Sequence, residues 1–214
     1  MGTTTKSSGT LRQRLHAATA EAMLDSAERA MIRHGYEKAT MQQIAAETGC
    51  AAGTFYLYFK NKRVLLEAIV ARHMKAMFDQ SRRAMGTSAD PLEKLRLALV
   101  STFRYAREHA VVFQFVFTAM PLRHRALHDR LGRIGREDHD SFERLILDLL
   151  AEGQGQGVIR RDLPAKTLHE FMDAVAFSFI EQFAFSPRRQ SVQDSARVLW
   201  GLITGGLAHR EGQA

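Results

Sequence analysis

The stretch "AAGTFYLYFKNK", residues 51–62, decides how this chain is read. On propensity alone, Thr54-Phe55-Tyr56-Leu57-Tyr58-Phe59 is a strand, because each residue is aromatic, β-branched or large and apolar. A strand needs a partner, and no turn signal or second alternating run lies nearby. The surrounding sequence has helical period instead. On a helix, Phe55, Tyr58 and Phe59 are neighbours at i, i+3 and i+4, so Phe55 and Phe59 pack inward while Tyr56 projects away.

Working outward, Ala20, Met23, Leu24, Ala27 and Met31 follow helical spacing, and Gly35 in "HGYEKAT" ends that helix. Thr40 and Gln43 make a capping box that opens a short helix, with Met41, Ile44, Ala45 and Thr48 as its buried stripe. Gly49 interrupts it and tolerates a positive φ in the turn. Ala45 is small where the two short helices cross, and Phe55 plugs the core of the pair. This is the spacing of a helix-turn-helix. The next helix starts at the N-cap Asn61 and runs through Leu65, Leu66, Ile69 and Val70 towards Phe78.

Further helices are predicted over 91–108, 110–119, 125–152, 165–185 and 191–208. The breaks between them are "GTSADP", Pro121, "GQGQG" with Leu163-Pro164, and Ser186-Pro187. No internal repeat and no convincing strand appears. The expected fold class is all-α, with residues 1–10 a disordered Thr/Ser/Gly arm, 11–62 a three-helix unit, and 63–214 a helical bundle.

Composition narrows the partners. Lys and Arg outnumber Asp and Glu by 30 to 23, a formal charge of +7, which favours a polyanion. Cys50 is the single cysteine, so an intramolecular disulfide and a multi-cysteine zinc site are excluded, and a reducing cytoplasm fits. "MGTTTKSSGT" lacks an apolar signal core, and Lys6 sits where a myristoylation signal needs Ser or Thr. The longest charge-free stretch, His109 to Leu122, is too short to span a bilayer. The expectation is a soluble cytoplasmic protein with no membrane partner.

The opening stretch suits one kind of polyanion. Ala51, Ala52 and Gly53 carry little side chain, so the backbone can come close to another surface. Thr54, Tyr56 and Tyr58 bring hydroxyls that reach past that contact. No acidic residue lies between Thr48 and Leu66, whereas Lys60, Lys62 and Arg63 do. A small, basic helix with hydroxyl tips matches a DNA major groove.

The run "MLDSAERAMIRHGYEKATMQQIAAETGCAAGTFYLYFKNKRVLLEAIV" resembles the N-terminal DNA-binding domain of the tetracycline-repressor family. The resemblance rests on the region of Ala27, Gly35-Tyr36, Thr40, Ile44-Ala45, Gly49, Gly53-Thr54, Tyr56, Tyr58-Phe59, Lys60 and Lys62. Cys50, Ala51 and Arg63 depart from the family's usual Val, Ser and Glu. The resemblance implies that Thr40 and Gln42 touch phosphates and that Ala51, Ala52, Gly53 and Thr54 meet base edges. Tyr56 and Tyr58 would contact phosphates or a thymine methyl, with Lys60 and Lys62 holding the backbone. Arg12 and Arg14 are further candidates for a groove or phosphates. It also implies a homodimer on a palindromic double-stranded operator, and a C-terminal domain that binds a small effector. No cofactor is expected.

The remaining two-thirds is read from its residues. "VLWGLITGGLAH" places Gly201 and Gly205 at i, i+4, with Gly206 beside them, inside a predicted helix. Glycine there costs about 1 kcal/mol relative to alanine. Either close approach to a second helix repays that, flanked by Leu199, Trp200, Ile203 and Leu207, or the helix frays at Gly205. The segment 165–185 is apolar on most sides, so two faces are buried. Phe177 and Ile180 are assigned to the partner subunit, together with Trp200, Gly201, Ile203 and Gly205.

Phe103, Phe113, Phe117, Met120, Phe142, Phe171 and Val175 are candidate walls of a pocket for a hydrophobic effector, each with plain core as its alternative. Glu181 is either a ligand-facing group or a carboxylate paired across the dimer. "RHRALHDRLGRIGR", residues 123–136, is either a site for an anionic effector such as an acyl thioester or a solvated helix face. His124 and His128 have chelating spacing but no motif beside them, and no metal site is expected. Absent too are a Ser-His-Asp order, a phosphate loop and paired catalytic carboxylates, so the chain is read as a regulator and not an enzyme. The rival readings are an activator or an effector-independent regulator of the same fold, and a helical enzyme or adaptor with a vestigial helix-turn-helix.

Overall fold

A computed structural model describes residues 11–119, 135–185 and 191–207. The arm 1–10, Met120, His124, His128 and nearly all of the arginine cluster lie outside those residues, as do the start of the helix predicted at 125 and the side chain of Arg12. Every regular element among the described residues is a helix. They are α1 (Leu11–His34), α2 (Met41–Glu47), α3 (Ala52–Tyr58), α4 (Lys62–Met85), α5 (Pro91–Glu108), α6 (Ala110–Ala119), α7 (Arg136–Gly155), α8 (Ala165–Phe185) and α9 (Val192–Leu207). None is long and apolar enough to cross a membrane. The chain divides into two compact units, residues 1–69 and 70–214, with the join inside α4.

In the first unit, local chemistry sets the helix ends. Gly35 and Gly49 adopt φ of +77° and +71°, closing α1 and α2 where a side chain on any other residue would be strained. Thr40 and Gln43 form both halves of the capping box: Gln43 N–H donates to Thr40 Oγ1 at 3.2 Å, and Thr40 N–H donates to Gln43 Oε1 at 2.9 Å. Asn61 caps α4 by accepting from Val64 N–H at 2.9 Å. Phe55 is fully buried, as are Met31, Ile44 and Ala45, and it packs on Phe59 at 5.4 Å between ring centroids. The stretch that reads as a strand is therefore a helix, because burial of Phe55 and Phe59 on one face outweighs their β-propensity.

The second unit packs α5 against α7, α8 and α9, and α6 against α8. Its core is centred on Phe103, which stacks on Phe179 at 5.6 Å and meets the edge of Phe183 at 5.4 Å. The end of α7 depends on one small residue. Gly153 is buried, and a Cβ there would lie 2.5 Å from Cδ1 and 2.8 Å from Cγ1 of the fully buried Ile159. Gly153→Ala is expected to cost up to about 2 kcal/mol in chemical denaturation, since overpacking of about 1–3 kcal/mol exceeds the gain in helix propensity of about 1 kcal/mol. A stabilised variant would mean that Ile159 repacks at no cost.

Candidate DNA-binding surface and effector cavity

Ala51, Ala52, Gly53 and Thr54 are all exposed at the start of α3, and Tyr56 is half-buried beside them. Ala51 sits at the N-cap and offers no side-chain hydrogen bond there. Tyr58 is stacked on His16 of α1, with ring centroids 4.4 Å apart, so its ring is supported from behind. Gln42 and Lys60 are exposed. Thr40 is exposed as well, but its hydroxyl is engaged with Gln43 as the cap of α2. Arg14 is exposed on α1.

Two findings depart from the sequence reading. Lys62 does not extend towards solvent as a free cation. Its ammonium donates to the carbonyls of Tyr36, Glu37 and Ala39 at 2.7, 3.1 and 3.1 Å and lies 4.7 Å from the Tyr36 ring centre. All three of its N–H donors are spent on the α1–α2 loop, which leaves none for a phosphate. Leu57, to which the sequence reading gives no role, is 82% exposed on α3. Its signal was the helical wheel: two residues on from Phe55 is the opposite face.

In the second unit a cavity of about 170 Å³ is walled by α4, α5, α6, α7 and α8. Its rings are Phe78, Phe113, Phe117, Phe142 and Phe177, with Met74, Met77 and Met172 between them. Phe78 stacks on Phe142 at 4.6 Å, and Phe117 meets the edge of Phe177 at 5.3 Å. Against these walls stand polar groups that the sequence reading missed: His73, His139, Glu143, His169 and Asp173. His73 is buried and its Nδ1 lies 2.8 Å from the Tyr105 hydroxyl. The neighbouring cations serve other carboxylates. Lys75 bridges Asp79 and Asp138 at 3.0 and 3.5 Å, and Arg82 reaches Asp79 at 3.0 Å. The hydrogen bond from Lys75 holds the Asp79 carboxyl below its ordinary range, and raises the Lys75 ammonium in turn.

Of the expected pocket walls, Phe113, Phe117 and Phe142 line this cavity. Phe103 does not: it is central core, enclosed by its ring contacts. Phe171 is 50% exposed, and Val175 packs against the core. Glu181 is exposed on α8 and is not part of the cavity wall. Of the residues assigned to a partner subunit, Phe177 and Ile180 face the cavity, and Ile203 is fully buried within the chain. For the α8 residues Phe171, Val175, Phe177, Ile180 and Glu181 the reason is common: on a helix apolar on most sides, the neighbours and not the sequence decide which face is which.

The outward face of α9 is nevertheless apolar and smooth. Val198 and Leu202 are 55% and 61% exposed, with Gly201 and Gly205 exposed between them at i, i+3, i+4 and i+7. A Cβ on either glycine would meet nothing within 4 Å. Trp200 is half-buried against the core.

Comparison with known proteins is consistent across the chain. Residues 23–69 match the family model "Bacterial regulatory proteins, tetR family". The HTH-type transcriptional repressor KstR2 of Mycolicibacterium smegmatis is 22% identical over 197 residues, covering 92% of this chain and 94% of that protein. The fatty acid degradation regulator FadR from Bacillus halodurans superposes with a TM-score of 0.71 at 24% identity, over 96% of this chain and 100% of that one. FadR from Bacillus subtilis, solved in complex with stearoyl-CoA, superposes with a TM-score of 0.71 at 21% identity, over 87% and 98%. These structural likenesses show a shared fold.

Proposed function

We propose that this chain, whose residues 23–69 match the model of the tetR family of bacterial regulatory proteins, is a homodimeric, cytoplasmic transcription repressor, released from a palindromic operator when a hydrophobic small molecule enters the cavity of residues 70–214. One observation carries the DNA-binding half: α3 leads with four exposed small residues and stands in a stretch without acidic side chains. Residues 51–54 meet base edges, Tyr56 and Leu57 flank them, and Lys60 with Gln42 hold the phosphates. Lys62 works indirectly, by fixing the loop that leads into α2. The second unit takes the effector and supplies the dimer contact. Effector and operator then oppose each other through one coupling free energy, typically about 1–3 kcal/mol. The relatives named as repressors and the acyl-CoA complex of the Bacillus subtilis protein support this reading. A regulator of this kind needs no catalytic group.

Fluorescence anisotropy on duplexes tiling the DNA upstream of the protein's own gene, at several salt concentrations, tests it. One saturable duplex is expected, with log K falling against log salt at a slope near −7 if about eight phosphates are neutralised. Tyr56→Ala is expected to weaken that binding by about tenfold or more, the loss of one good contact, without change in circular dichroism or dimer mass. A flat salt response would sink the proposal, and loss of helicity in the variant would make Tyr56 part of the core.

A further inference from the structure

We propose that the cavity of the second unit carries a site for a divalent first-row metal ion of the zinc class, built on His139, Asp140 and Glu143 of α7. An imidazole nitrogen and two carboxylate oxygens from these residues lie within 4.8 Å of one another. Around a metal with bonds of about 2.0–2.2 Å, ligand atoms sit about 3–4 Å apart, so modest side-chain rotation closes the set. His139 and Glu143 share one helix face at i, i+4, and both line the cavity. Asp140 is exposed at its edge, 3.4 Å from Nδ1 of His139.

A cluster of this kind on an open surface carries no meaning. Here the surroundings give it one. Glu143 is half-buried against apolar walls and has no hydrogen-bond or ion-pair partner among the described residues. A carboxylate in such a place is costly unless a cation compensates it, and a second carboxylate beside it raises the cost. Among the described residues, the cations Lys75 and Arg82 of α4 are engaged by Asp79 and Asp138. His73 from α4, with His169 and Asp173 from α8, brings further imidazole and carboxylate groups to the same cavity. Imidazole with carboxylate suits zinc, cobalt and nickel, and three protein ligands leave a position open to water or to a chelating group on an effector.

The test uses the full chain, freed of metal with a chelator and titrated with Zn²⁺ and with Co²⁺ by calorimetry and absorption. One ion per chain is expected, with visible Co²⁺ bands of a nitrogen–oxygen site. Glu143→Gln and His139→Ala should each weaken binding at least tenfold, while circular dichroism stays unchanged. If His139→Ala does not fold, Glu143→Gln alone carries the result. No binding at millimolar metal, or binding unaltered by both changes, overturns the site. So does stabilisation by alkylammonium ions with none by metal, which would make the cation organic. None of these readings involves DNA, so failure here leaves the operator experiment untouched.

Discussion

Lys62→Met is expected to lower the unfolding free energy of the first unit by about 2–3 kcal/mol, the largest effect of any single charged residue there. The methionine keeps the aliphatic stem and removes only the ammonium. Three backbone carbonyls, those of Tyr36, Glu37 and Ala39, then lose a charged donor. Each such bond contributes about 1.5–3 kcal/mol when fully enclosed. The contact to Glu37 is exposed and water replaces it, which is why the expected total lies well below the sum. In a unit of this size, the midpoint of thermal unfolding should fall by roughly 10 °C or more. The comparison that matters is with Lys60, which is exposed. Lys60→Met should leave the melt unchanged and reduce the salt slope of operator binding by about 1, as a phosphate contact does. If Lys62→Met instead reduced the slope and left the melt alone, Lys62 would be a phosphate ligand that releases the loop on binding.

Lys62 also marks the limit of what the sequence carries. Capping box, turn glycines and the inward pair Phe55 and Phe59 were legible because each is a local matter: spacing, φ and side-chain oxygen decide it within one or two turns. A lysine's charge is equally visible, but whether it meets a phosphate or three carbonyls of a loop 23 to 26 residues away depends on tertiary placement. The same limit explains α8. Phe177, Ile180 and Glu181 are consecutive enough to share any sequence argument, yet two face the cavity and one faces solvent. The cavity's histidines come from three helices and form no motif. Only the spacings His139 to Glu143 and His169 to Asp173 could have drawn attention to them.

Replacing both Gly201 and Gly205 by leucine is expected to convert the proposed dimer to monomers at micromolar concentration, read by light scattering, with helicity unchanged. Within the chain the change is harmless. Both positions face outward, a Cβ at either meets nothing within 4 Å, and leucine gains about 1 kcal/mol of helix propensity over glycine at each. Any loss must therefore arise between chains. Val198 and Leu202 flank the glycines and are more than half exposed, so this face is apolar with a shallow trough along it, suited to a second helix at close approach. Two leucines per chain fill the trough and hold the helices apart. Operator affinity should fall with the dimer, by a factor of about 10² or more, because two linked half-site contacts become one. An unchanged dimer mass would move the interface off α9, to the exposed face of α8 around Phe171 and Phe185. In that case the glycines need another cause, since nothing inside the chain requires their small size.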